Sequence, residues 1–443
     1  MLYDQDNLGR NMKKFWITTL GCKINQYESE SIRQRWAQMG FEQAVNDEDA
    51  DDVVINSCAV TASALQDLRK VIRNLNRRNP DANIIVTGCA AQVFGAELAE
   101  LPGVIEVIPQ ERKADLLQLT GIAGESGDQP KDSGAETVFQ PFAIKDYKRT
   151  RAVVKVQDGC SHRCTYCIVP ITRGPSVSRK MEDVLAEIER LIEAGFREMI
   201  ISGINLSHYG REFEGRPDFW DLMERIENEF GSEWGGKVRF RISSLEPGQL
   251  KERALEVLSA SKLICPQLHL SLQSGDNAVL KRMGRGHYKA EDALAFTEKL
   301  SQIWPVFGLG ADILTGFPGE TEEEFNNTLE FCQKLPLSYA HVFPYSVRPG
   351  TAAAKMKDQL HGSVKKERGA ILRGLVAEKK AEFLNKISEL DSLRILFQNK
   401  NSGVCEFYST CIFEEGFEGA VPRELVKVAP VKVIDDKLIV RLI

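Results

Sequence analysis

Gln157 to Pro170 reads QDGCSHRCTYCIVP and sets Cys160, Cys164 and Cys167 in a C-x-x-x-C-x-x-C spacing. Three thiolates this close hold three irons of a [4Fe–4S] cluster and leave the fourth iron open. An open iron is a place for reaction, in the way that a three-ligand zinc is catalytic and a four-ligand zinc structural. Two other readings stand beside this one. His162 could complete a structural zinc site, although no second ligand pair is near it in sequence. A ferredoxin-like electron carrier would bring a fourth cysteine, and none lies close by.

Upstream of this loop the chain alternates apolar strands with helices. Phe15–Leu20, Asp52–Asn56 and Asn83–Thr87 read as strands, with a shorter one at Val104–Ile108. Asn25–Met39 reads as a helix stopped by Gly40, and Thr61–Asn79 as one closed by Pro80. Alternation of this kind predicts a parallel sheet with right-handed crossovers, whose strands all end at one edge. That edge is where open α/β sheets bind ligands. Cys22, Cys58 and Cys89 each follow a strand end, two of them directly after glycine. They are therefore expected to converge into a second three-cysteine cluster site.

Residues 121–137, GIAGESGDQPKDSGAET, carry almost no large apolar side chains and read as a surface linker. Downstream, strands are predicted at Ala152–Val156, Glu198–Ser202, Val238–Ser244, Gln267–Gln273, Gly308–Leu314 and Tyr339–Tyr345. Helices lie between them, for instance Thr321–Lys334, which opens with a Thr321/Glu324 capping box. Six βα units are too few for a closed eight-stranded barrel, so an open partial barrel is expected. The Cys160 loop follows its first strand and lies at the C-terminal edge. Ser202, Gly203, Ser243, Glu246 and Gln273 fall at the same edge, with Asp312 in the fifth strand. Glycine admits close backbone approach, and Ser, Gln and carboxylates bind ribose or ammonium groups.

A basic helix is predicted over Val364–Lys386, either an RNA contact or a solvated face. From Ser392 short alternating runs predict a small all-β domain. Phe407, Tyr408, Phe413 and Phe417 are candidates for base stacking, or for its core. Cys265, Cys332, Cys405 and Cys411 follow no ligand pattern and read as structural.

The bulk composition narrows the class. No apolar run is long enough to span a bilayer, and MLYDQDNLGRNMKK lacks the core of a signal peptide, so a cytoplasmic protein without membrane contact is expected. Ten cysteines in such a compartment are metal ligands before they are disulfides. A net charge of −6 excludes wholesale electrostatic wrapping of nucleic acid and leaves room for a local basic face.

Taken together, the motifs resemble the methylthiotransferase family of radical S-adenosylmethionine (SAM) enzymes. The resemblance is carried by LGCKINQYESE (Leu20–Glu30), NSCAVT (Asn56–Thr61), GCAAQ (Gly88–Gln92) and QDGCSHRCTYCIVPITRG (Gln157–Gly174). RISSLEP (Arg241–Pro247), LSLQSG (Leu270–Gly275), TGFPGETEEEF (Thr315–Phe325) and HVFPYSVRPGT (His341–Thr351) extend it. It implies an α/β protein: an open parallel N-terminal domain over 13–120, a linker over 121–146, a partial (β/α)6 radical SAM core over 147–378, and a small RNA-binding β-barrel over 379–443.

The resemblance also implies two [4Fe–4S] clusters, with SAM and tRNA as partners and an electron donor of unknown identity. The cluster on Cys160, Cys164 and Cys167 would cleave SAM, and the resulting radical would take hydrogen from C2 of an adenine. The cluster on Cys22, Cys58 and Cys89 would supply sulfur, and a second SAM the methyl group. Within the family, the loops around Cys22 and Cys58 are most similar to the branch acting on threonylcarbamoyladenosine, just 3′ of the tRNA anticodon. A pocket for that anionic adduct needs a cation, for which Lys23 and Arg173 are the candidates. Sister branches act on isopentenyladenosine in tRNA or on an aspartate of a ribosomal protein. A non-catalytic iron–sulfur RNA-binding or electron-transfer protein is the alternative of another class.

Overall fold

The computed structural model describes residues 13–60, 62–118, 139–140, 142–416, 419 and 421–443. Most of the 121–146 linker, the expected helix start at Thr61, and Phe417 lie outside the described residues. The chain divides into two compact units: residues 1–144 with 168–174, and residues 145–167 with 175–443.

In the first unit the strands are Lys14–Thr19, Asp52–Ser57, Asn83–Gly88 and Val104–Pro109, joined by a two-residue strand, Glu42–Gln43, that the sequence does not announce. All pair in parallel. Their spatial order is Glu42–Gln43, Lys14–Thr19, Asp52–Ser57, Asn83–Gly88, Val104–Pro109. The central strand Asp52–Ser57 is buried at every position, and its continuous apolar run reflects cover on both faces. Helix Ala62–Arg78 buries Leu68, Ile72 and Leu75, spaced by four and three residues, against Val53, Ile55, Ile84 and Val86. The three strands that end in cysteine are therefore adjacent, about 4.8 Å apart from one to the next.

The second unit holds six parallel strands in chain order: Ala152–Lys155, Glu198–Ser202, Arg239–Ile242, Gln267–Gln273, Gly308–Thr315 and Tyr339–Pro344. They form two sheets, one of the first three strands and one of the last three with the short Ser244–Leu245. A bridge from Phe240 to Ile264 lies between the two sheets. No pairing joins the first strand to the last among the described residues, so the barrel is open. The expected capping box is present: Thr321 Oγ1 accepts from the Glu324 amide and Glu324 accepts from the Thr321 amide. The α/β class, the partial barrel and the terminal β-barrel are all as expected.

Five strands close the C-terminal barrel: Leu393–Asn399, Ser402–Cys405, Thr410–Phe413, Leu425–Ile434 and Lys437–Leu442. Phe407 and Phe413 are buried in its core beside Phe383 of the long helix Gly362–Ser388, which removes both from base stacking. Tyr408 belongs to a turn set against the N-terminal ends of the six-stranded barrel. Arg239 donates to the Arg394 and Val404 carbonyls, and Arg241 to those of Cys405 and Glu406. A Cβ on Gly308 would stand 2.2 Å from the Phe407 carbonyl oxygen. The two arginines share Glu198, which is fully buried. The basic helix is largely engaged within the unit: Arg368 pairs with Glu320, Lys379 donates to the Leu335 carbonyl and Lys386 to that of Pro305.

Candidate iron–sulfur and S-adenosylmethionine site

In the first unit the cysteines stand where the sheet order sends them. Cys22 caps the helix Lys23–Gln38, and Cys89 opens the helix Cys89–Ala99. Aligned amides at a helix N-terminus favour a thiolate. The preceding glycines have a steric reason. Gly21 (φ 114°) would carry its Cβ 2.6 Å from Cys58 Cβ, and Gly88 (φ 97°) 2.3 Å from the Ser57 carbonyl oxygen. Any side chain at either position would separate the loops.

Burial pushes the Cys58 thiol up to about 11, and Cys89 and Cys22 press the same way, against the Val60 amide and Arg173. Three soft sulfur donors brought to one sheet edge, with glycines that let their loops approach, are a donor set that fits a metal cluster. Behind them lies a buried polar network that the sequence reading missed. Asn25 Nδ2 donates to the Leu20 and Ser57 carbonyls, tying two cysteine loops together. Lys113, fully buried, donates to Glu28 at 2.7 Å and to Asn56 Oδ1 at 3.0 Å. Arg173 donates to Glu28 at 2.9 Å and to Asn25 Oδ1 at 2.6 Å, and its side chain is 1% exposed. Burial pulls the Lys113 ammonium down and Glu28 holds it up, and Arg173 adds a second basic group on the same carboxylate behind the three cysteines. The available signal was the run of polar residues Asn25, Glu28 and Ser29 on a helix with a covered face. Lys23, just after Cys22, is partly buried.

In the second unit the loop after the first strand carries Cys160, Cys164 and Cys167. Gln157 fixes its start, donating to the Asp158 and Gly159 carbonyls and accepting from the Asn205 amide at 2.7 Å. Asn205 Nδ2 lies 3.7 Å from Cys160 Sγ, and Arg285 Nη1 3.8 Å from Cys164 Sγ. Burial raises both thiols, while Asn205 and Arg285 act against it. A set of one buried and two half-buried cysteines, with donors aimed at two of the sulfurs, suits a cluster. His208 accepts from the Ser161 amide at Nδ1. Burial holds it down at about 4, so at neutral pH it is an uncharged support for the loop.

Of the candidate SAM residues, Glu246 sits in a polar cluster that the sequence did not announce. Glu246 lies 3.3 Å from His162 Nδ1, 3.0 Å from His287 Nε2 and 2.9 Å from Arg285 Nη2, and accepts from Ser207 at 3.0 Å. Burial works to raise it, and His162, Arg285 and His287 beside it outweigh burial and hold it well below the usual range. His162, an alternative fourth metal ligand in the sequence, is thus turned toward Glu246. Ser243 Oγ is buried with no hydrogen-bond partner among the described residues. Gln273 ends its strand at φ 65°, a conformation unusual for a side-chain-bearing residue and worth its strain at a ligand edge. Ser202 ends the second strand with its carbonyl bonded to the Val156 amide, and Gly203 leaves room for Gln157 Cβ, which a Cβ there would meet at 2.9 Å. A buried hydroxyl without a partner at a strand end fits a polar ligand. Asp312 stands apart from this group, between two histidines.

Comparison with known proteins agrees with this geometry. Residues 154–332 match the model of the Radical SAM superfamily, and residues 14–109 that of the Uncharacterized protein family UPF0004. The chain is 37% identical over 382 residues to the threonylcarbamoyladenosine tRNA methylthiotransferase MtaB of Bacillus subtilis, covering 84% of this chain and 83% of that one. It is 34% identical to the MtaB of Aquifex aeolicus, covering 93% and 100%. It is also 34% identical to the tRNA-2-methylthio-N(6)-dimethylallyladenosine synthase of Pelotomaculum thermopropionicum, covering 81% and 80%. Among solved structures, the radical S-adenosylmethionine methyltransferase TsrM of Kitasatospora setae shares the fold, with a TM-score of 0.56 at 13% identity over 78% of this chain and 77% of that one. With two cysteine triads at sheet edges and relatives matched over most of its length, the chain belongs to the methylthiotransferase family of radical SAM enzymes.

Proposed function

We propose that the chain replaces the C2 hydrogen of N6-threonylcarbamoyladenosine, just 3′ of the tRNA anticodon, with a methylthio group, using SAM, an external electron donor and two [4Fe–4S] clusters. The observation that carries this reading is the pair of three-cysteine sets, each at the C-terminal edge of its own parallel sheet. One set alone serves SAM cleavage; a second, with its own buried cations, argues for a second cluster with separate work. When bound, the cluster at Cys160, Cys164 and Cys167 supplies the electron that breaks a carbon–sulfur bond of SAM, and the one at Cys22, Cys58 and Cys89 the sulfur.

The remaining roles belong to side chains. Glu246, with Ser243 and the Ser202–Gly203 and Gln273 strand ends, receives the amino and ribose groups of SAM. Asn205 holds Cys160 as a neutral donor, and Arg285 holds Cys164 and balances its charge. Lys113 and Arg173 balance the charge of the other triad, and the ion pair with Glu28 makes Arg173 a support for that site. Lys23 remains the candidate from the first unit for contact with RNA.

The choice of adenosine rests on the relatives' names. Those named for threonylcarbamoyladenosine are 34–37% identical, and those named for dimethylallyladenosine 33–35%. Mass spectrometry of tRNA nucleosides from a strain lacking the gene tests it. The methylthio form of threonylcarbamoyladenosine should vanish and return with the gene. Loss of the methylthio form of dimethylallyladenosine instead would assign the sister substrate.

A further inference from the structure

Tyr339, His341 and Phe343 alternate along the sixth strand and share one face. That face is the barrel lumen. The Tyr339 ring lies 5.5 Å from that of Tyr408, and Tyr408 also meets Arg241 of the third strand and Arg151 before the first. Side chains reaching neighbours from opposite walls must point inward.

Two more lumen residues join His341. Asp312, in register with it on the fifth strand, sets Oδ1 3.1 Å from His341 Nδ1 and 3.1 Å from His269 Nε2. His269 is engaged at both nitrogens, since its Nδ1 lies 3.0 Å from the Tyr339 hydroxyl, which also accepts from Gln267 at 3.2 Å. His341 differs: its Nδ1 faces Asp312, its side chain is 58% exposed, and its Nε2 has no partner among the described residues. Next to it Phe343 is exposed, ring centroids 6.0 Å apart, and offers an apolar face for a base.

The trio lies lower in the lumen, and a chain of contacts leads from it to the reacting edge. Ser271, two residues beyond His269 and about 7 Å along the same strand face, accepts from Arg285 through its carbonyl. Arg285 in turn reaches Cys164 Sγ. In adenine, C2 and C6, the carbon that carries N6, flank the same ring nitrogen, so an N6 adduct enters the lumen with the carbon that reacts. A threonylcarbamoyl adduct ends in a carboxylate, which needs a cation or a donor. Of the two cations the sequence nominated, Arg173 is buried against Glu28.

We propose that His341, oriented by Asp312, is the subsite for the carboxylate of the N6 adduct. Set between Asp312 at Nδ1 and an adduct carboxylate at Nε2, the imidazole can donate to both, and Phe343 lines the wall beside it. His269 braces Asp312 from the far side. This inference rests on the threonylcarbamoyl reading above.

The test compares two anticodon stem-loops, one bearing threonylcarbamoyladenosine and one whose adduct ends in 2-hydroxypropyl, hydrogen replacing the carboxylate. Reconstituted wild-type protein and His341→Leu receive each, with SAM, reductant and sulfide, and kcat/KM for methylthiolation is measured. The wild type should favour the carboxylate by roughly tenfold to a hundredfold, the worth of one charge-assisted hydrogen bond. In His341→Leu this ratio should collapse toward one, and His341→Gln, a neutral donor, should fall between. Iron content checks that each variant keeps its clusters. A ratio unchanged in both variants would overturn the subsite while leaving the substrate intact. Wild-type protein that ignores the carboxylate stem-loop would overturn the substrate reading, and the subsite with it. Zinc bound at one per chain and lost in His341→Leu would make the trio a metal site and refute the proposal.

Discussion

Arg241→Met perturbs the joint between the six-stranded barrel and the C-terminal β-barrel, and its cost can be worked out from contacts. The Arg241 side chain is 2% exposed. It donates to Glu198 Oε1 at 2.7 Å, to the Cys405 carbonyl at 2.5 Å and to the Glu406 carbonyl at 2.8 Å. Methionine fills much of the volume and makes none of these bonds. Two buried carbonyls lose a donor, at about 1–3 kcal/mol each. Glu198 keeps Arg239 at 2.7 Å, so its charge is not stranded. Breaking a buried ion pair costs about 3–5 kcal/mol, and the sum of the carbonyl terms falls in the same range. The effect should appear as easier opening of the β-barrel. Hydrogen exchange of the Leu393–Asn399 amides should quicken by about two to three and a half powers of ten, at 1.4 kcal/mol for each. Exchange within a factor of about three of the parent, less than 1 kcal/mol, would refute this account of the joint.

Glu198 also predicts an acid limit. Burial alone would raise it, but Arg239 and Arg241 bring it from 4.5 to about 2, so its contribution is complete above pH 4.5 and lost as pH falls toward 2. Some 3 kcal/mol is at stake, and Glu198→Gln should flatten that part of a stability-versus-pH curve. Replacing Cys160, Cys164 and Cys167 by alanine should abolish 5′-deoxyadenosine release from SAM. The same change at Cys22, Cys58 and Cys89 should spare that release and stop sulfur insertion, as read by nucleoside mass spectrometry. Gly88→Ala forces alanine to φ 97° with its Cβ 2.3 Å from the Ser57 carbonyl oxygen. A strain of about 1–2 kcal/mol before any clash should loosen the Cys89 loop and lower iron content, whereas full iron would show that the loop adapts.

Much of this was legible because strand periodicity and cysteine placement are local signals. The strands ending at Cys22, Cys58 and Cys89 were readable from their apolar runs, and parallel pairing follows from the intervening helices. What escaped was set by tertiary contacts. Nothing near Lys113 in sequence announces that its ammonium reaches Glu28, 85 residues away. The aromatic residues at 407, 408 and 413 carry the composition of a stacking surface, and only the folded chain shows Phe407 and Phe413 turned into the closed barrel and Tyr408 packed on Tyr339. Asp312 read as one more polar residue in a strand. Its pairing with His269 and His341 depends on the register of three strands, which single-strand patterns do not contain.

The central claim is radical-based methylthiolation of a particular adenosine, and the most direct measurement is a competition. Reconstituted protein, with SAM, reductant and sulfide, receives an equal mixture of anticodon stem-loops bearing threonylcarbamoyladenosine and dimethylallyladenosine, and the nucleosides are followed by mass spectrometry with 5′-deoxyadenosine. 5′-Deoxyadenosine should form and the methylthio group should accumulate on threonylcarbamoyladenosine. Methylthiolation of dimethylallyladenosine in preference, or a methylthio product without 5′-deoxyadenosine, would contradict it.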